Sequence, residues 1–416
     1  MCLTSRRLST LISVDDAVAL LADVFKRTME LEVVEERVLN ALGRIAASDV
    51  TAGVDVPPFN RSAVDGYAVY AGDVVNASIY SPVELALKGV VSPSDKPPSE
   101  CLERGEAVRV HTGSPIPCGA DAVVMDEDVE ASGSRVTVFK PVSPGQNVSR
   151  RGEDFSSGEV IVAKGTLLGP LHVAALSSIG VDKVWVYRRI KVGVLTTGSE
   201  VCEPGVDSEC PTIVYNSSAR LIAALLRSTG FIDVRYYGVF PDDPAVIGDA
   251  VVEAVSENDL VVTTGGTGVS EGDVLIDALA GVGRTVFRGV RMRPGRPTTL
   301  TLVEGKPVLN LSGYPVAAWT GYEAILMPAF KKWLGLGNLE RPVVYARLAR
   351  RTPNTVGYRS YIRVSLRDAG DMLVAEPYML RGSGVLSSLL KSQGYIVIPE
   401  NVEGFEKGDL VRVHLF

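Results

Sequence analysis

Asp259-Leu-Val-Val-Thr-Thr-Gly-Gly-Thr-Gly-Val-Ser-Glu-Gly-Asp273 is the stretch that decides the fold. Leu260, Val261 and Val262 form one apolar run, as in a strand covered on both faces. The run gives way to a loop of small residues, and a helix is predicted to start near Gly272. A strand, a glycine-rich loop and a helix N-terminus gather backbone N–H groups around one point. The helix dipole adds partial positive charge, so the place suits a phosphate or another anion. Asp273 sits at the rim, where it can hold a cation over that anion. The loop is neither Gly-x-Gly-x-x-Gly nor a loop ending in Gly-Lys-Ser/Thr, so it names no reaction. A tight strand-to-helix turn also fits it.

Outward from this stretch, residues 188–335 alternate strand and helix. A strand over 190–196 leads into Thr197-Gly-Ser-Glu200, and Leu221, Ile222, Leu225 and Leu226 mark one face of a helix over 217–229. A strand over 234–240, a helix after Pro244 and strands near Val286, Thr299 and Val308 follow, then a helix over 315–333 that Pro328 should kink. Alternation of this kind predicts a doubly wound, mostly parallel sheet with ligands at the carboxyl ends of its strands. The loops at 198–200, 242–243 and 265–273 all fall on that edge.

On either side the texture differs. Ser13 and Asp16 read as a capping box for an amphipathic helix over 13–29. Short β-like runs between Pro- and Gly-rich turns make 54–146 a small β domain, and helical patterning returns at 170–179. Residues 341–416 read as a small barrel or sandwich with a short helix over 385–391.

Composition bounds the function. The chain has 416 residues, 46% hydrophobic and 22% charged, with net charge −7. That profile fits a soluble multidomain protein and disfavours nucleic acid as a partner. No secretory signal and no run of 18 apolar residues is visible, so a cytoplasmic protein without membrane spans is expected. Five cysteines without Cys-x-x-Cys and three histidines make a zinc site unexpected. Glutamine occurs only at Gln146 and Gln393, which hints at a thermophilic source.

Two charged groups carry chemistry. Glu200, Asp242, Asp243 and Asp273 lie at predicted strand ends, and carboxylates clustered beside an anion site call for a cation such as magnesium. Each also reads as a solvated loop acid, and Asp243 before Pro244 as a helix cap. Phe287-Arg-Gly-Val-Arg-Met-Arg-Pro-Gly-Arg-Pro297 places four arginines within nine residues, a grip for oxyanions or else a solvated basic face, and its proline framing argues for a rigid loop.

Read with these, further segments carry a resemblance: Pro58-Phe-Asn-Arg-Ser-Ala-Val-Asp-Gly-Tyr-Ala68, Thr112-Gly-Ser-Pro-Ile-Pro-Cys-Gly-Ala-Asp-Ala-Val-Val-Met125, Arg150-Arg-Gly-Glu-Asp154, Thr197-Gly-Ser-Glu200, Asp242-Asp-Pro244, Thr264 through Asp273, and Pro294-Gly-Arg-Pro297. In their order and over nearly the whole chain they resemble the MoeA family, molybdopterin molybdenumtransferases related to the gephyrin E domain. The resemblance implies a multidomain α/β plus β fold. An elongated domain would comprise 1–51 and 147–187, an inserted β domain 52–146, a MogA-like α/β domain 188–335 and a C-terminal β-barrel-like domain 336–416. It also implies a homodimer whose cleft is shared between subunits, with substrate handed over by a molybdopterin adenylyltransferase. The implied reaction is magnesium-dependent insertion of molybdate or tungstate into adenylylated molybdopterin, releasing AMP.

Carried over by position, Asp65, Thr112, Asp154, Glu200, Asp242 and Asp273 would be catalytic. Gly265, Gly266, Thr267, Ser270, Arg293, Arg296, Ser312 and Pro315 would bind substrate, and Glu200, Asp242 or Asp243, and Asp273 would hold magnesium. Two departures stand out: Arg293-Pro-Gly-Arg-Pro297 where most members carry lysines, and Leu311-Ser-Gly-Tyr-Pro315 where most read Leu-Pro-Gly-Asn-Pro. A molybdopterin adenylyltransferase and a non-catalytic binding or scaffold paralogue are the competing readings. The inserted and C-terminal domains argue against the first and the intact acidic cluster against the second. Finally, the Pro204-Gly205 turn between Cys202 and Cys210 lets those thiols meet, so a disulfide there is expected or else two free thiols.

Overall fold

A computed structural model describes residues 11–205, 212, 214–266, 274–337, 340–378 and 382–416. At its centre is a six-stranded sheet. Its strands are β1 (Ile190–Thr197), β2 (Ile232–Phe240), β3 (Leu260–Thr264), β4 (Gly283–Arg288), β5 (Thr299–Val303) and β6 (Lys306–Leu311), in spatial order β2-β1-β3-β6-β5-β4. The first four in that order are mutually parallel, and β5 and β4 add an antiparallel edge. Side chains of β3 alternate between two cores. Leu260 and Val262 join the core beneath helix α1 (Ser218–Arg227), and Val261 joins the core beneath α2 (Pro244–Glu257) and α3 (Val274–Val282). Both faces are therefore covered, as the continuous apolar run requires.

The helix expected over 315–333 is present but interrupted. It runs as α4 (Pro315–Gly321), a π turn over Tyr322–Leu326, and α5 (Met327–Leu334). Pro328 has no N–H to donate to the carbonyl four residues back, and the wider turn absorbs that loss. The N-terminal helix Val14–Thr28 is capped by Ser13, whose Oγ accepts the Asp16 N–H at 3.0 Å. Its apolar face buries against the α/β unit: Phe25 stacks on Phe330 with centroids 4.8 Å apart. The same core also takes in Ile45, with Leu167 and Tyr187 packed against it. The elongated part has its own core, in which Val38, Ala46 and Ala52 meet Val162, Leu176 and Val186.

A second six-stranded sheet spans residues 66–138, in the order Ala122–Met125, Gly66–Val69, Glu106–Val110, Val83–Val91, Arg135–Val138, Val129–Ser132. The C-terminal strands form a closed barrel, because Arg359–Asp368 pairs with both Leu373–Pro377 and Gly394–Ile398. Closure removes the exposed edges that an open sheet would carry. No helix among the described residues is long and apolar enough to cross a membrane.

Cysteine pairing goes beyond the sequence reading. Cys101 and Cys118 form a disulfide between loops flanking this second sheet's strands, a pair not singled out from sequence. Cys202 is disulfide-bonded as well, while Cys210, its expected partner, lies outside the described residues. The Cys101–Cys118 bond spans a sequence separation of 17 and ties down the end of the Thr112 loop, where the Leu102 N–H also donates to the Cys118 carbonyl at 2.7 Å. A loop of this length should contribute about 3 kcal/mol by restricting the unfolded chain. The Cys101→Ser/Cys118→Ser double variant is expected to lose roughly 2–4 kcal/mol in urea unfolding. An unchanged midpoint and slope would show that the bond contributes nothing.

Candidate active site

The parallel strands β1, β3 and β6 end at one edge, and a cavity of about 910 Å³ opens there, between the α/β unit and the barrel. Its floor is backbone. Gly265 has φ 99°, and a Cβ on it would lie 2.3 Å from the Thr197 carbonyl oxygen. A Cβ on Gly313 would lie 3.1 Å from the Gly265 Cα. The loops after β1, β3 and β6 thus touch with no room for side chains, and only glycine tolerates the positive φ at Gly265. Paired threonines lock the strand ends: Thr264 donates to Thr196 Oγ1 at 2.7 Å, which donates to the Thr264 carbonyl at 2.8 Å. The Thr197 hydroxyl is buried at this floor without a hydrogen-bond partner among the described residues.

One wall is acidic. Glu200 is exposed and lines the cavity. Its loop is laced to the loop after β2: the Ser199 N–H donates to Asp242 Oδ2 at 3.0 Å, and the Asp242 N–H donates to Ser199 Oγ at 3.0 Å. Asp242 itself does not line the cavity but is fixed beside the Glu200 loop. Asp243 has a different task. Its Oδ1 accepts the Ala245 and Val246 N–H groups at 2.8 and 3.2 Å, capping α2. Among the described residues no three His, Cys, Asp or Glu side chains gather as a metal cage. Thr267, Ser270 and Asp273 lie outside the described residues.

Another part of the lining is basic. Met292 and Arg293 pair in parallel with Arg359 and Ser360, so the arginine loop is joined to the barrel sheet. The Arg293 guanidinium donates to Thr355 Oγ1 at 2.7 Å and sits 4.5 Å from the Tyr358 ring centroid. The loop then turns at Gly295, where a Cβ would lie 2.8 Å from Met292 Cε. Arg296 follows, exposed and lining the cavity. Neither arginine has a carboxylate partner among the described residues. Two unneutralised guanidinium groups on a concave wall favour oxyanions.

At the mouth, Ser312 is buried and its Oγ accepts the Tyr314 N–H at 3.4 Å. Pro315 opens α4, and the Val316 N–H donates to the Ser383 carbonyl at 3.0 Å, fastening this turn to the barrel side.

Asp65, Thr112 and Asp154 do not line this cavity. Asp65 accepts the Thr112 N–H at 2.8 Å, and His111 Nδ1 lies 3.5 Å from the same carboxyl. The Thr112 amide holds that carboxyl below the usual carboxylate range, with His111 adding to the effect. The Asp154 N–H donates to the Val56 carbonyl at 3.0 Å. The sequence reading missed wall residues Tyr215, Asn216 and Ser217, the segment 383–386, and Thr355 and Tyr358 behind Arg293. Only the serines at the start of α1 had a local signal, as cap-type residues.

A switch-edge cavity with a glycine floor and an unpaired arginine wall defines an anion-binding α/β protein, and comparison narrows the class. Residues 193–332 match a probable molybdopterin binding domain, 12–180 the MoeA N-terminal region (domain I and II), and 345–416 the MoeA C-terminal region (domain IV). A protein of Methanocaldococcus jannaschii named for molybdopterin biosynthesis is 37% identical, over 94% of this chain and 93% of its own. The molybdopterin molybdenumtransferase of Staphylococcus epidermidis is 32% identical over 98% and 96%. The crystal structure of the molybdopterin biosynthesis MoeA protein from Pyrococcus horikoshii is 34% identical, covers 98% of this chain and 100% of its own, and superposes with a TM-score of 0.81. The chain belongs to the MoeA family of molybdopterin molybdenumtransferases, enzymes of molybdenum cofactor biosynthesis.

Proposed function

We propose that this enzyme inserts molybdate or tungstate into adenylylated molybdopterin in a magnesium-dependent reaction that releases AMP. The observation that carries the proposal is that Arg293 and Arg296, without a carboxylate partner among the described residues, line the same cavity as Glu200, with Gly265 and Gly313 at its floor. Molybdate is a dianion and the substrate a polyanion. Their approach costs Coulomb energy that fixed guanidinium groups offset without reorganising. Backbone at the glycine floor gives a phosphate close access to the chain.

Magnesium fits the donor set. It takes one or two carboxylates plus substrate phosphates rather than an all-protein cage. Glu200 and Asp242, on laced loops, supply that number, and Asp273 would join them. Bound there, the ion would neutralise charge developing on the adenylyl phosphates. Asp243 is left to its cap. Asp65, Thr112 and Asp154 would serve the cleft from the partner subunit of a homodimer, with substrate arriving from a molybdopterin adenylyltransferase.

The test is reconstitution with purified adenylylated molybdopterin, magnesium and either molybdate or tungstate, following AMP by chromatography. AMP release that requires both metal and oxyanion is the expected result. Adenylylation of molybdopterin by ATP, without such release, would overturn the proposal.

A further inference from the structure

We infer that Tyr215 and Tyr314 form a stacking site for a flat nitrogen heterocycle, so that the cavity takes a ring as well as an anion. Both tyrosines line the cavity, and they are its aromatic residues among those described. Tyr215 is 49% and Tyr314 62% exposed. Large rings left this open at a cavity wall bury little apolar area in the folded chain and are available to a ligand.

Both are held in place. Tyr215 pairs with Cys202 in a short parallel ladder, and the next N–H, of Asn216, donates to the Cys202 carbonyl at 2.9 Å. Tyr314 lies against Gly384 of the barrel side: a Cβ there would come within 3.1 Å of Tyr314 Cδ1 and 3.5 Å of Cε1. Glycine at 384 therefore lets the ring rest on backbone. The two segments meet directly, since Ser218 Oγ donates to the Gly313 carbonyl at 2.6 Å. Tyr215 is three residues from one end of that bond and Tyr314 one residue from the other, so both rings belong to one stretch of wall. The arginine loop lines the same cavity. A ligand that satisfies both carries oxyanions on a chain ending in a planar ring. Purines and pterins share that chemistry. Base–aromatic stacking tolerates either, because every such ring has a π face.

This inference rests on the proposed substrate but is separable from it. Full-length parent, Tyr215→Ala, Tyr314→Ala and the corresponding Phe variants are titrated by calorimetry with AMP, with a reduced pterin and with inorganic phosphate. Each Ala change should weaken AMP or pterin about five- to a hundredfold, the range for loss of one stacked base. The Phe variants should keep parental affinity, and phosphate binding should not change. Whichever of AMP and pterin responds identifies the ring. If the parent binds neither ring, or the Ala variants bind both as the parent does, the stacking site is refuted. Tyrosine-dependent ring binding with no AMP release in the reconstitution would instead uphold the stacking site and reject the reaction.

Discussion

Glu200→Gln is expected to lower magnesium-dependent AMP release about a hundred- to a thousandfold, the range for removing one preorganised electrostatic group at a reacting centre. Glu200 is the one acidic side chain among the described residues that lines the cavity. Glutamine keeps the shape but gives a divalent cation a neutral oxygen. The loop should survive, because the bonds that fix it use Ser199, Asp242 and Gly198, whose N–H donates to the Phe240 carbonyl at 3.1 Å. Circular dichroism and the thermal midpoint should therefore stay parental. Asp243→Ala is the internal contrast. It removes a helix cap and should cost about 1 kcal/mol of stability, with AMP release per folded molecule unchanged. A magnesium titration separates the two roles: a rightward shift is expected for Glu200→Gln and none for Asp243→Ala. If Glu200→Gln turns over like the parent at every magnesium concentration, Glu200 is no ligand of the ion.

The sequence was most informative where period and chemistry are local. Leu260, Val261 and Val262 announced a doubly covered strand because apolar runs and burial share one cause. Pro328 announced a break because its missing N–H acts within one turn. Asp243 was ambiguous, since cap and metal ligand call for the same carboxylate. The structure shows the cap, with Oδ1 accepting two amides of α2. Long-range pairing was the harder part. Nothing near Arg293 marks that its strand joins the barrel or that Thr355 and Tyr358 hold its side chain, because the partners lie some sixty residues on. Cysteine pairing was legible in part, since Cys202, singled out for its spacing, is disulfide-bonded while Cys210 lies outside the described residues. The short loop from Cys202 to Cys210 invited a bridge, while the Cys101–Cys118 bond depends on two turns that the inserted sheet brings together. Asp65 and Thr112 are neighbours in the structure, yet neither lines the cavity.

The Arg293→Ala/Arg296→Ala double variant should show the largest loss of oxyanion affinity. Each charge-assisted contact is worth roughly 1.5–3 kcal/mol. Together they amount to roughly 3–6 kcal/mol, a factor of about 10²–10⁴ in molybdate affinity. Folding should be little affected, because both side chains are exposed and neither closes an ion pair among the described residues. The single variants add a geometric test. Arg293 is oriented by Thr355 and by the Tyr358 face, so its guanidinium is presented in a set plane. Arg293→Lys keeps the charge but loses the planar fork and the stacking, and should recover only part of the loss. Arg296 has no such support among the described residues, so Arg296→Lys should recover more. If both arginines grip one anion, the double variant will depart from the sum of the singles, since groups sharing a partner couple. Calorimetric titration with molybdate, repeated at two salt concentrations, provides the measurement. Affinity that stays within a factor of about two of the parent in the double variant, against the tenfold per 1.4 kcal/mol that a lost contact implies, would reduce the arginine wall to a solvated basic face.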